Sequence, residues 1–425
     1  LGFGGHALGN PEWDGRFSTR TVYSADDGVF RRHILISYID IDLLGKSLTE
    51  TGLMFELDST LIWDDTKANE RRFGRTESIQ RIRELNLSHP FYSKRLKVTF
   101  GRTLIPEAGN AWVDGLNIDL ALKKGLNLGV FGGLRPIPLT YAPNTEYQTT
   151  GTYARYREGS RLEVDGGYTL TFRDGLDRQF IFQRSHFRPN KIWSFFNYAT
   201  YEASETPEFS TFLAGVHARP LPGLTIALNA SRYSVEQYRN AVIYQNVIEP
   251  NQILLLGSEV IELVYNRARL SLSNRFKRRY YLYQMLEIKH RSQDGRQGAL
   301  YTMGARDDDF WGLSLDVRGT IERGYQSDTW ILAYQLNGDL GRSLSWQTHG
   351  TIVDSRTIDR FTERGRTFDE AQRIYLVGGL VNTRVARLHM LSVAYDVILE
   401  TELQDARNQE ALLIHTGMFR YQMRF

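Results

Sequence analysis

The absence of Cys and the presence of nine His are the first chemical facts of this chain. Without Cys there is no disulfide scaffold, thiolate metal site, thiol nucleophile or covalently attached c-type haem. The His residues, at 6, 33, 89, 186, 217, 290, 349, 389 and 415, show no two-His spacing suited to a metal. No recognisable nucleophile motif surrounds any Ser, so the residues point away from an enzyme and call for no cofactor. Asp26–Asp27, Asp64–Asp65 and Asp307–Asp309 offer oxygen ligands for Ca²⁺; the plainer reading is that they solvate turns. Tyr280, Tyr281 and Tyr283 beside Lys277, Arg278 and Arg279 resemble a stacking patch for nucleic acid. A net charge of +3 gives no nucleic-acid footprint. The strongest bias is among the cations, 43 Arg against 9 Lys. Arg is permanently charged and forks bidentately onto carboxylate and phosphate.

The elements that must position these groups are legible from period. In 161–173, Leu162, Val164, Tyr168, Leu170 and Phe172 alternate with Arg161, Glu163, Asp165, Thr169, Thr171 and Arg173. Successive strand side chains point to opposite faces, so one face is apolar and the other charged. Trp311, Leu313, Leu315, Val317 and Ile321 likewise oppose Ser314, Asp316, Arg318, Thr320 and Glu322. Leu116, Ile118, Leu120 and Leu122 oppose Asn117, Asp119 and Lys123. The pattern runs from about residue 13 to Phe425 with no 3.6-residue period between, and all 11 Pro fall in breaks or at their borders.

The length of 425 residues suggests about three domains, and a mean hydropathy of −0.38 suggests a soluble protein. Alternation overrides both. The longest unbroken apolar run is Trp330–Tyr334, which excludes a membrane-spanning helix. The chain begins at Leu1 without a basic, apolar leader, so the expectation is that any signal peptide has been removed. In hydrocarbon a sheet must close to pair its backbone, and a barrel with a polar interior has low average hydropathy. A soluble β-sandwich array or β-propeller is the competing reading.

The last strand carries a resemblance. Phe419, Tyr421, Met423 and Phe425 form one face and Arg420, Gln422 and Arg424 the other. An aromatic C-terminal residue with apolar residues two, four and six positions earlier resembles the assembly signal of bacterial outer-membrane β-barrels. The resemblance implies one all-β domain over 1–425, a transmembrane antiparallel up-and-down β-barrel in the bacterial outer membrane. Its partners would be the lipid bilayer, lipopolysaccharide and the barrel-assembly machinery, and no nucleic acid.

Segmentation gives 22 strands, with 18 to 24 acceptable; the segment 257–275 could divide at Asn266–Arg267. Tight breaks at 123–125, 158–160, 188–191 and 219–223 are expected to face the periplasm. The longer breaks 135–146, 236–256 and 355–369 would face outward. Alternation begins almost at once, so no N-terminal plug is expected. Any obstruction comes from inward-folded loops or from a periplasmic or lumen-inserted protein.

The expected lumen-facing residues are Asn117, Asp119, Arg161, Glu163, Asp165, Asp316, Arg318, Arg420 and Arg424. Two roles are open to them: a passage for anionic or polyhydroxylated solute, or cross-strand pairing that stiffens the wall. One hairpin stands out: Gly101–Arg102, Pro106–Glu107–Ala108–Gly109, Trp112-x-Asp114–Gly115. It is similar to a hairpin of alginate-export-type barrels, which implies a conduit for acidic polysaccharide. Read from the residues alone, Gly101 and Gly115 admit a bulge or close backbone approach and Trp112 joins an interfacial girdle. The leading expectation is an outer-membrane channel for hydrophilic, anionic solute. The rivals are a cofactor-free sheath around a multihaem cytochrome and a structural barrel in a secretion or motility machine.

Overall fold

The computed structural model describes residues 11–26, 33–64, 78–92, 95–123, 125–137, 141–173, 175–203, 207–234, 264–292, 295–324, 327–357, 371–402 and 411–425. It contains β1 (Glu12–Asp26), β2 (His33–Lys46), β3 (Met54–Asp64), β4 (Ser78–Phe91), β5 (Leu96–Ile105), β6 (Ala111–Lys123) and β7 (Leu126–Leu134). Next come β8 (Gln148–Glu158), β9 (Leu162–Phe172), β10 (Leu176–Phe187), β11 (Trp193–Glu202), β12 (Glu208–Leu221), β13 (Leu224–Ser234) and β14 (Val264–Phe276). The chain continues through β15 (Tyr280–Arg291), β16 (Gln297–Phe310), β17 (Leu313–Arg323), β18 (Ser327–Leu340), β19 (Leu344–Thr357), β20 (Ala371–Ala386), β21 (His389–Glu402) and β22 (Leu412–Arg424).

Each strand pairs antiparallel with its neighbours in sequence, and β1 also pairs with β22, so the 22-stranded sheet closes on itself. The seam ends where Phe425 and Gly15 exchange backbone hydrogen bonds of 3.0 and 3.1 Å. The described part of the segment 257–275, from Val264 onward, belongs to one strand, β14, and Asn266–Arg267 lies within it. The turn between β20 and β21 falls at 387–388, after Val385 extends the outer apolar row. Trp311, expected on a strand face, is in a tight turn with φ 52° and is almost fully exposed.

The two faces separate cleanly. Ile181, Leu228, Leu282, Ile288, Met303, Leu332, Val393 and Phe419 are exposed on the outside. Side chains two strands apart can meet only on the concave face, and there Tyr283 Oη of β15 donates to Asp316 Oδ1 of β17 at 2.9 Å. Lys289 Nζ reaches Glu322 Oε1 by the same route at 2.7 Å.

Connections at the rim where β1 starts and β22 ends are short, the longest running over 47–53. Every longer connection is at the other rim. Short turns mark the periplasmic side and long loops the external side.

Candidate functional site

The hairpin β5–β6 does not continue up the wall. Gly101, Gly115 and Gly133 are directly opposed across β5, β6 and β7. Gly101 has φ 117°, a conformation that a side chain resists. A Cβ on Gly133 would lie 2.7 Å from the Gly115 Cα. This row of glycines lets the sheet bend sharply, as glycine kinks do in barrels.

Beyond the bend, the helical turn Pro106–Ala108 lies against β8, β9 and β10. Strands are about 4.8 Å apart, so the tip is displaced along the wall by roughly the width of three strands. Thr169 Oγ1 of β9 donates to the Ala108 carbonyl at 3.2 Å. Gly167 is the notch that receives the tip: a Cβ there would lie 2.8 Å from Glu107 O and 2.9 Å from Ala108 Cα. Ile105, Ala108, Val113, Phe131 and Tyr153 form a buried apolar cluster under the fold. In a barrel whose apolar surface otherwise faces outward, this is a local interior core.

Charge pairing fastens the tip. Arg155 Nη1 donates to Glu107 Oε1 at 2.6 Å, and its other nitrogen is 4.0 Å from Asp119. Tyr153 Oη is 3.2 Å from both Asn117 Oδ1 and Asp119 Oδ2. Arg184 Nε donates to Asp165 Oδ2 at 2.9 Å, and Arg157 Nη2 donates to Glu163 at 2.7 Å. Asp165 is fully buried, and its Oδ1 accepts no hydrogen bond. Above the tip, Arg102 holds Asp114 through Nε at 2.5 Å and donates to the carbonyls of Ile82 and Tyr141. Trp112 packs edge-on against Tyr141 at 5.2 Å rather than standing in a lipid-facing girdle.

The expected lumen residues therefore divide. Asn117 and Asp119 bond Tyr153 beside the docked tip, Asp165 is held by Arg184 next to it, and Glu163 pairs with Arg157 nearer the periplasmic rim. Arg161 is in the β8–β9 turn, its guanidinium 6.0 Å from the Phe187 ring, so it belongs to the periplasmic rim and not to the strand. Asp316 accepts from Tyr283, and exposed Arg318 stands two residues further along β17 on the same face. Arg420 is directly opposite Arg20, and Arg424 opposite Arg16. Among the described residues Arg20, Arg318, Arg420 and Arg424 have no carboxylate partner. The Arg20 guanidinium lies over the Tyr38 ring at 4.2 Å, and its Nε is buried without an acceptor.

Sequence reasoning missed Gly167, Tyr153 and Arg155, and it gave Glu107 of the hairpin no role of its own. The visible signal was the unusual hairpin itself, but its docking surface lies some 60 residues later in the chain. Tyr281 and Tyr283, which beside Tyr280 resemble a stacking patch in sequence, share the concave face. The acids of 307–309 engage Arg275, Arg279 and Arg306. The hydrogen bond to Asp307 raises the pKa of Arg279 in its turn above the ordinary value. Asp27, Asp65 and most of the breaks 236–256 and 355–369 lie outside the described residues.

An even-stranded antiparallel barrel with an apolar exterior, a polar interior and one rim of short turns is a bacterial outer-membrane β-barrel. No protein-family model matches the sequence, and no curated protein matches it. Among solved structures it is similar to Acinetobacter baumannii OccAB1 at 12% identity and TM-score 0.49, covering 99% of this chain and 100% of that one. It is also similar to Pseudomonas aeruginosa OpdO, at 11% identity, TM-score 0.47 and 98% of each chain. Pseudomonas aeruginosa OccD3 (OpdP) gives 11% identity and TM-score 0.45, over 99% of this chain and 93% of that one. The fold is established by the closed ladder of strands, not by these likenesses.

Proposed function

We propose that this barrel is an outer-membrane conduit for hydrophilic anionic material, acidic polysaccharide included, and not an enzyme. One observation carries the reading: Arg20 and Arg420 oppose each other on the concave face with no carboxylate between them. Like charges directly across a strand pair are destabilising, so their retention makes sense where an anion visits. Arg16 and Arg424 extend the same strip toward the periplasmic rim; Asp42 lies 3.7 Å from Arg16, and Asp40 beside it on β2 is taken by Ser18 and Thr60. Along β8–β10 the wall neutralises its own charge, which leaves this strip, with Arg318 on β17, as the selective surface among the described residues. The docked hairpin narrows the opposite side.

The test is the reversal potential of the purified barrel in a planar bilayer under a salt gradient. Wild type prefers anions, and the double variant Arg20→Glu, Arg420→Glu shifts toward cations. An unchanged preference in a correctly assembled variant overturns the reading.

A second reading is favoured by width. Twenty-two strands about 4.8 Å apart and tilted about 40° make a barrel roughly 44 Å across at the backbone. That bore suits a sheath around an inserted protein, such as a multihaem cytochrome. A haem-absorbing partner that co-purifies in fixed ratio would support the sheath, and a steady large conductance from the barrel alone would support the conduit.

A further inference from the structure

Beyond the conduit, the outer face of β17–β19 carries a groove of about 390 Å³ at the external rim. Its lower wall is apolar: Ile321 and Trp330 are directly opposed, exposed, and continue the lipid-facing row of Leu332 and Tyr334. One row further out, Arg323, Asp328 and Arg356 stand side by side on the same face. Two strand residues at the barrel's tilt place that row about 5 Å above Trp330. The side chains of Arg323 and Arg356 are 78% and 75% exposed. Their acidic neighbours hold them loosely. Arg323 Nε is 3.7 Å from Asp328, and Arg356 Nε is 4.0 Å from Asp354. Asp354 is buried and already taken by Arg373, whose Nε donates to it at 2.9 Å.

We propose that this groove binds the phosphorylated headgroup of an outer-leaflet glycolipid, lipid A, with Arg323 and Arg356 on the phosphate and Trp330 and Ile321 along the acyl chain. Three observations converge. The groove opens toward the bilayer, so its occupant arrives within the membrane plane. The change from apolar to cationic side chains falls within one row, at the level where hydrocarbon gives way to headgroup. Among the described residues neither guanidinium donates a hydrogen bond to its acidic neighbour, and a guanidinium fork suits phosphate. Trp at this depth is the ordinary anchor of the hydrocarbon boundary.

The experiment uses the full chain refolded in detergent and titrated with bisphosphorylated lipid A, with bound lipid counted by native mass spectrometry. Wild type retains lipid A, and the double variant Arg323→Gln, Arg356→Gln loses at least tenfold in affinity while keeping its heat-modifiable gel mobility. Lipid A stripped of phosphate binds both proteins equally and weakly. If the double variant fails to assemble, Arg356→Gln alone is read by the same criteria with a smaller loss. Wild-type affinity in the variant overturns the proposal. Equal binding of dephosphorylated lipid A to wild type overturns the phosphate contact. Displacement of lipid A by inorganic phosphate at equal concentration overturns the lipid assignment in favour of a small-anion site.

Discussion

Two parts of the inner wall solve the problem of buried charge in opposite ways. Along β8–β10 nearly every guanidinium has a carboxylate: Arg155 with Glu107, Arg157 with Glu163, Arg178 with Glu202 and Arg184 with Asp165. Where the β5–β6 tip displaces solvent, beside Glu107 and Asp165, an unpaired ion would carry a heavy desolvation penalty. Along the β22–β1 seam nothing covers the wall among the described residues, and Arg20 and Arg420 face each other unpaired. Solvent carries the repulsion, and the charge stays available. The same residue type therefore builds structure where the wall is covered and stays unpaired where it is open.

The largest effect should come from breaking a covered pair on its exposed side. Arg184→Ala leaves Asp165 charged, buried and unpaired, at a cost of about 2–3 kcal/mol, below the range for a fully buried pair because Arg184 itself is partly exposed. Asp165→Ala should cost less, since Arg184 can turn to water; urea unfolding in lipid vesicles would expose the asymmetry. Equal losses for the two variants would mean that Asp165 is less enclosed than its contacts imply. Next, Gly167→Val overfills the notch and should cost about 1–3 kcal/mol. It should also release the tip, read as new tryptic cleavage after Arg102 in the folded barrel, and a resistant variant would count against docking at Gly167. Glu107→Gln keeps the size of the side chain but removes the charge, and Asp119 still faces Arg155. About 1 kcal/mol is expected, with the wild-type proteolysis pattern unchanged. Smallest in stability is Arg420→Gln. It relieves the repulsion with Arg20, should alter the unfolding free energy by under about 0.5 kcal/mol, and yet should lower anion preference in a bilayer. A large loss of stability there would remove the contrast between the two walls.

The strand ladder was legible because a membrane imposes period two on every segment. An apolar face must meet lipid and a polar face water, so Leu162–Phe172 and Leu313–Arg323 declare both their state and their faces. Turns were less legible. Thr383–Arg384 is as polar as a turn, but Arg384 sits on the inner face and the outer row continues through Val385. Docking was the least visible. Gly101 and Gly115 could be marked as sites of close approach, and they are, but nothing local to them names Gly167 or Tyr153 as the receiving surface. Pairing was equally hidden: Arg184 and Arg420 are the same residue type in the same alternating phase, and only the cover over one of them separates their roles. Phe419 and Phe425, in the stretch that resembles an assembly signal, are exposed on the outer face, and Tyr421 meets His389 at 2.6 Å.

The absence of native Cys allows a clean test of the docked hairpin. The double variant Ala108→Cys, Thr169→Cys places two thiols where Thr169 Oγ1 now reaches the Ala108 carbonyl at 3.2 Å. Mild oxidation of the folded barrel should convert it almost completely to a cross-linked species of altered gel mobility, reversed by reductant. The pairing of Ala108→Cys with Thr320→Cys, on the distant strand β17, should remain reduced. Failure of the 108–169 pair to cross-link in an assembled barrel would contradict the inward fold of β5–β6.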